Sequence, residues 1–187
     1  MAPARIHPTA LVESETIGPG TRIWAFCHIL AGAIIGSDCN VGDHCYVESG
    51  VTIGDEVVIK NGVAVWSGVT IADRVFVGPN VAFTNDRSPR AKIYRSSPGA
   101  TLICEGASLG ANATVICGTT VGRYALVGAG AVVTRDVPEF GLALGNPARV
   151  AGYVCRCATR LSFIDGRAEC ACGRVFGLKN TRVEEIV

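Results

Sequence analysis

The sequence predicts an all-β chain wound into a parallel β-helix of about six coils, with a long inserted loop and a small cysteine-rich tail. Three observations predict it. An apolar residue recurs every six positions over most of the chain. Glycine is abundant, at 23 of 187 residues, while aromatic residues are only 6 %. The repeat breaks once in mid-chain and then resumes in a new phase.

The coils come first. Stepping by six from Leu11, every position is aliphatic or aromatic through Ile29, Val47 and Val65 to Phe83, thirteen in a row; six more run from Ile103 to Val133. Neither a helix at period 3.6 nor a hairpin strand at period two gives this spacing. Three short strands per 18-residue coil do, and at about 4.8 Å per stacked strand the prism is roughly 30 Å long. Two positions before each repeat residue stands a small or β-branched side chain, such as Cys27, Ala33, Cys45 or Val63. Strand alternation points both inward. Glycine often follows the repeat residue, as at Gly36, Gly78 and Gly110. There it suits corners needing positive φ or close approach.

The composition narrows the function. Seventeen Lys and Arg against sixteen Asp and Glu leave a net charge of +1. That argues against a basic nucleic-acid footprint. No apolar run of about 18 residues exists to insert in a membrane. The N-terminal MAPARIHPTA has no apolar signal core, which reads as a cytoplasmic location.

The loop, about 84–102, breaks the repeat between Phe83 and Ile103, and it carries Arg87, Arg90, Lys92 and Arg95. Such positive charge suits a phosphate or a carboxylate. After Val133, Pro138 and the turn Gly145-Asn146-Pro147 are expected to end the coils. This gives a β-helix unit over 1–152 and a tail over 153–187.

The tail holds Cys155-x-Cys157, twelve residues, then Cys170-x-Cys172. Two close pairs across a hairpin-length spacer suggest a small zinc ribbon with four thiolate ligands and no open position. Reduced thiols and a redox pair are the other readings. Cys27, Cys39 and Cys45 read as small core hydrophobes, while Cys104 and Cys117 fall outside the inward pattern.

Residues 18 apart stack in columns. The face centred on Ile29, Val47, Val65 and Phe83 presents outward Phe26 and His28, then His44, Tyr46 and Glu48, then Trp66. Asn85 follows at the corner where the loop departs. Two histidines, a glutamate and an amide on one face make a candidate site. His28 and Glu48 are candidate bases, and Asn85 can orient an acceptor. His44, Tyr46, Trp66, Arg87 and Arg90 can bind the substrate. No triad or activated cysteine is evident, which favours direct attack.

The hexad pattern from Leu11 to about Val150 resembles that of the hexapeptide-repeat acyltransferases. The resemblance implies a left-handed β-helix and a homotrimer binding acyl-CoA between subunits. Gly145-Asn146-Pro147-Ala148-Arg149 is similar to endings widespread in the CoA-dependent members, which makes Asn146 and Arg149 candidate cofactor-binding residues.

Four stretches narrow the resemblance: Trp24-Ala25-Phe26-Cys27-His28-Ile29, Lys60 through Gly68, Val81 through Arg90, and Gly110 through Gly118. They resemble nucleotide-sugar N-acetyltransferases acting on a 3-amino group, of UDP-2-acetamido-3-amino-glucuronate or dTDP-3-amino-3,6-dideoxyhexose pathways. That implies acetyl-CoA as co-substrate, a nucleotide-linked amino sugar as acceptor, and a part in surface polysaccharide synthesis. In such enzymes the asparagine after Phe-Thr lies beside the acceptor amine, and Asn85 occupies that place. Some members pass the proton to the departing CoA thiolate, in which case His28 and His44 bind sugar. Ala25 and Cys27 stand where Trp-His-Phe-Ser-His is common. Asn85-Asp86-Arg87 leans toward the dideoxyhexose type. An O-acetyltransferase on a sugar or serine and a non-catalytic scaffold are the competing readings. A γ-type carbonic anhydrase needs a third converging histidine, and His7 is remote.

Overall fold

The computed structural model describes residues 2–93 and 99–186. Two- and three-residue strands recur at six-residue steps and stack in register into three parallel sheets, with no helix among the described residues. The first face (A) runs from Arg5–Ile6 to Gly141–Leu144, the second (B) from Leu11–Val12 to Val132–Val133, and the third (C) from Thr16–Ile17 to Thr120–Val121. The solenoid has about seven turns rather than six, because winding begins before Leu11 and outlasts Pro138.

The core is two columns per face. On face B, Ile29, Val47, Val65, Phe83, Val115 and Val133 are all at most 4 % exposed. Beside them Cys27, Cys45, Val63, Val81, Ala113 and Ala131 are at most 2 % exposed. Burying each Val or Ile contributes about 1.5–3 kcal/mol, so the hexad pattern is itself the driving force. Glycines after the repeat residue serve close approach: a Cβ on Gly78 would lie 2.7 Å from the Leu109 carbonyl oxygen. Positive φ is used three positions before the repeat residue instead, as at Gly32.

The winding departs from the sequence expectation at four places. The first turn is one residue short, so Leu11 pairs with His28 and Val12 with Ile29. A one-residue shift flips a strand's faces; Leu11 is therefore 56 % exposed, while Ala10 and Val12 pack on the core. The loop closes earlier than residue 102, because Thr101–Ile103 is already a strand paired with Val69–Ile71. The backbone N–H of Gly99 donates to the carbonyl of Asn85 at 3.2 Å across the loop base. Arg95 lies outside the described residues.

Cys117 is buried at 1 % exposure, not outside the core, because the loop base covers it. Its N–H donates to Thr84 Oγ1 at 2.9 Å, and its carbonyl accepts from Arg87 Nε at 3.0 Å. Pro138 does not stop the coils, since Leu142 and Ala143 still pair in parallel with Leu126 and Val127. The chain reverses after Leu144, and Arg149–Val154 returns antiparallel along Gly141–Leu144. A three-stranded antiparallel sheet follows: Arg167–Glu169, Val175–Lys179 and Arg182–Glu185. Phe176, fully buried, centres this small core with Cys155, Cys170, Leu161 and Phe140.

Candidate functional site

Register places the polar side chains of face B in one row. His28 pairs with Tyr46, Tyr46 with Ala64, and Ala64 with Ala82. The His28 and Tyr46 rings meet edge-on with centroids 5.7 Å apart, and Tyr46 meets Trp66 at 5.3 Å. His28 Nε2 lies 2.7 Å from Glu13 Oε1. Glu13 was missed in the sequence because the short first turn breaks the 18-residue column that would have aligned it.

His44 stands at the neighbouring corner, not in that row. Its backbone is left-handed (φ 59°), as is that of Phe26 (φ 58°), and the two rings stack at 5.0 Å. Glu48 turns to the backbone: its Oε2 accepts from the Ser67 N–H at 2.7 Å. That bond fixes the corner beside Trp66. Asn85 sits at the loop stem, next to Thr84 and Arg87, which anchor on Cys117. Its strand is three steps from the strand of His28, about 14 Å along the axis. One group of a chain cannot bridge them, so the His28 row and Asn85 are two separate parts of the candidate site. Arg90 donates to the neighbouring Pro89 carbonyl at 3.0 Å. Asn146 and Arg149 are exposed at the reversal after the last coil.

The tail brings its four cysteines together. All four Sγ atoms lie within 4.8 Å of one another, with Cys155 and Cys172 at 3.4 Å and Cys157 and Cys170 at 3.5 Å. The distances are far too long for disulfides. They approach the S···S separation of about 3.8 Å set by four Zn–S bonds of about 2.3 Å in a tetrahedron. Two matching turns present them. Cys155 N donates to Thr159 O and Ala158 N to Cys155 O; likewise Cys170 N donates to Arg174 O and Gly173 N to Cys170 O. Each fourth residue is left-handed, Ala158 at φ 67° and Gly173 at φ 87°. Burial pushes the Cys155 thiol up to about 12. The Arg174 backbone N–H, then its guanidinium, brings Cys172 down to about 6.

A polar chain runs from this cluster to the solenoid. Arg174 Nη1 donates to Cys172 Sγ at 3.3 Å and its Nε lies 3.3 Å from Glu185. Glu185 pairs with Arg156 at 2.6 Å, and Arg156 lies over the Tyr124 ring at 4.7 Å. The Tyr124 hydroxyl donates to Glu105 at 2.9 Å, and Glu105 also pairs with Arg74 and Arg123. Sequence reading missed this network, although Glu105 and Arg123 stand 18 apart and so could be seen to stack.

A family model, the bacterial transferase hexapeptide (six repeats), matches residues 16–49 and 100–135. Over 182 residues the chain is 55 % identical to the dTDP-3-amino-3,6-dideoxy-alpha-D-galactopyranose 3-N-acetyltransferase of Aneurinibacillus thermoaerophilus, covering 97 % of this chain and 95 % of the relative. The chain belongs to the hexapeptide-repeat transferases. The transferase fold is shared with a maltose O-acetyltransferase from Clostridium difficile 630 (25 % identity, 63 % of this chain and 67 % of that one, TM-score 0.56). AntD, an N-acyltransferase from Bacillus cereus in complex with dTDP and 3-hydroxybutyryl-CoA, shares the fold at 17 % identity. That match covers 82 % of this chain and 81 % of that one, with TM-score 0.56. No helix among the described residues of this transferase is long and apolar enough to cross a membrane.

Proposed function

We propose that this transferase moves the acetyl group of acetyl-CoA to the 3-amino group of a dTDP-linked 3-amino-3,6-dideoxyhexose. The observation that carries the reading is 55 % identity, along nearly the whole chain, to an enzyme named for that reaction. The residues supply the chemistry. The neutral amine attacks the thioester carbonyl directly, the C–S bond breaks, and the thiolate leaves with CoA. Asn85 orients the amine beside the carbonyl. The amine's proton passes to the departing thiolate, and His28, held by Glu13 about 14 Å along the axis from Asn85, binds the acceptor farther along the face. Tyr46, Trp66 and His44 present sugar-binding surface, with Glu48 fixing the corner beneath Trp66. Arg87 and Arg90 face the acceptor's phosphates, and Asn146 and Arg149 hold CoA at the far end.

The working unit in this reading is a cytoplasmic homotrimer with sites between subunits, serving surface polysaccharide synthesis. Residues 1–152 are the transferase unit and 153–187 a zinc-binding unit. Four thiolates in two matching turns fit Zn²⁺ as a closed structural site, and Arg174 offsets part of its negative charge. The test is free-thiol release from acetyl-CoA with dTDP- and UDP-linked 3-amino sugars. Release with the dTDP-dideoxyhexose is expected. Release only with a UDP-uronate, or only with a hydroxyl acceptor, would overturn the acceptor assignment.

A further inference from the structure

The ladder of the solenoid uses the amide one place after each repeat residue, as where Leu30 N–H donates to Val47 O at 2.9 Å. The amide two places after it sits at the corner, outside the ladder. A side chain on an adjacent turn caps it. Asp43 Oδ1 accepts from Ala25 N–H at 3.0 Å, Asp55 Oδ1 from Ser37 N–H at 2.7 Å, and Glu48 Oε2 from Ser67 N–H at 2.7 Å. A buried amide left without such an acceptor is costly.

Asn85 and Cys117 hold this same corner position in successive turns, since Phe83 pairs with Val115. Here the cap is a neutral hydroxyl. Thr84 Oγ1 accepts from Cys117 N–H at 2.9 Å, while Thr84 N–H is fixed on Val115 O at 3.1 Å. The next amide is capped from the other end of the inserted loop, where Thr101 Oγ1 accepts from Gly118 N–H at 3.2 Å. Thr101 is 1 % exposed, so its hydroxyl is committed to this bond. Gly99 N–H closes the ring on the Asn85 carbonyl at 3.2 Å. Two consecutive corner amides thus grip the two ends of the loop, with Asn85 between them. The Asn85 carboxamide has no hydrogen-bond partner among the described residues. Its direction is set by its backbone, and the backbone is set by the grip.

We propose that Thr84 and Thr101 are positioning residues for acetyl transfer, clamping the loop base on the amides of Cys117 and Gly118 so that the Asn85 carboxamide is aimed at the acceptor amine. The inference rests on the N-acetyltransferase reading above and on the place of Asn85 in it. Both threonines act through Asn85 and neither touches the acceptor or CoA. Displacing an orienting group by about 1 Å costs up to about 10²-fold in rate, so loss of one hydroxyl should be visible in turnover.

Thr84→Val and Thr101→Val remove the hydroxyls while keeping the β-branched shape; Thr84→Ser and Thr101→Ser keep the hydroxyls. With acetyl-CoA and a dTDP-linked 3-amino-3,6-dideoxyhexose, each valine variant should lower kcat about tenfold. The acceptor KM and the dissociation constant of CoA should stay as in wild type. Each serine variant should recover most of the lost turnover. In an Asn85→Ala background Thr84→Val should cost nothing further, as for residues acting through one group. Without substrate, amide hydrogen exchange at Cys117 and Gly118 should be faster in the valine variants and normal in the serine ones. Unchanged kcat in both valine variants overturns the proposal. Serine variants as slow as the valine ones overturn it too, as do losses that multiply with Asn85→Ala. Full turnover in Asn85→Ala overturns it together with the role of Asn85, and leaves acetyl transfer standing. Wild-type protein that acetylates no nucleotide amino sugar defeats the proposed function instead, and the exchange measurement then still decides whether the clamp exists.

Discussion

His28 Nε2 and Glu13 Oε1 are 2.7 Å apart, a pairing that exists because the first turn of the solenoid is one residue short. The shift turns Leu11 outward and brings the Glu13 side chain within reach of His28. His28→Gln should raise the acceptor KM about tenfold while kcat changes little, Glu13→Gln should act in the same direction, and the double variant should be no worse than His28→Gln alone, as for groups acting together. Losses that multiply in the double variant, or a fall confined to kcat, would show that the pair does not serve acceptor binding.

Asn85 is held at the loop base through its own carbonyl and through the neighbouring Thr84 and Arg87. Its side chain can be removed without disturbing those anchors. Asn85→Ala should cut turnover by about 10²-fold, while the dissociation constant of CoA stays as in wild type. Steady-state rates with calorimetric titration of CoA check both halves. Unchanged turnover would remove Asn85 from the chemistry.

Metal analysis of the intact protein should find one zinc per chain. Cys155→Ser and Cys172→Ser should each abolish it, make the tail protease-sensitive, and leave the β-solenoid circular dichroism in place. Thiol titration of native protein should leave Cys27, Cys39 and Cys45 unreacted, since all three are buried; burial also pushes the Cys39 thiol up. Zinc-free protein with all four tail thiols reactive would exclude the metal site.

Glu105 links the solenoid to the tail. The Arg74 guanidinium first, then the Tyr124 hydroxyl, holds its carboxyl below the ordinary range. A depressed carboxyl stabilises the folded chain above the unfolded value of about 4.3, and the gain is lost as pH falls through the folded value. The Tm difference between wild type and Glu105→Gln should therefore be full at pH 7 and shrink as pH falls below the unfolded value of about 4.3. A difference independent of pH would mean that the carboxylate charge is immaterial there.

Gly78 faces the backbone of the next turn, where a Cβ would sit 2.7 Å from Leu109 O and 2.8 Å from Ala111 N. Gly78→Ala should destabilise by about 1–3 kcal/mol, as overpacking does. Chemical denaturation measures this directly, and a neutral result would show that adjacent turns can slide apart there.

The repeat was readable because each buried column maps one-to-one onto a six-residue period on either side of the inserted loop, from Ile29 to Phe83 and from Ile103 to Val133. Face B was readable for the same reason, since His28, Tyr46 and Trp66 lie at fixed offsets from that period. What escaped depended on turns of unequal length. The short first turn hid Glu13 and misplaced Leu11, and the inserted loop hid Cys117, whose burial comes from Thr84 and Arg87 across the insertion. The tail's cysteines were visible from spacing alone, but the seating of Phe176 against Phe140 depends on a chain reversal that no periodicity announces.

The last rung of a stacked solenoid would normally leave a row of amide and carbonyl groups open to a strand from another molecule. Here all three faces are closed by the segment that follows. Val137 N–H donates to Thr120 O, Ala148 N–H donates to Val132 O, and Arg149–Val154 folds back along Gly141–Leu144. The chain reversal thus acts as a stopper. It keeps a structure built from near-identical repeats from growing end to end into a filament, so shortening the chain before Ala148 should turn a discrete assembly into a polymerising one.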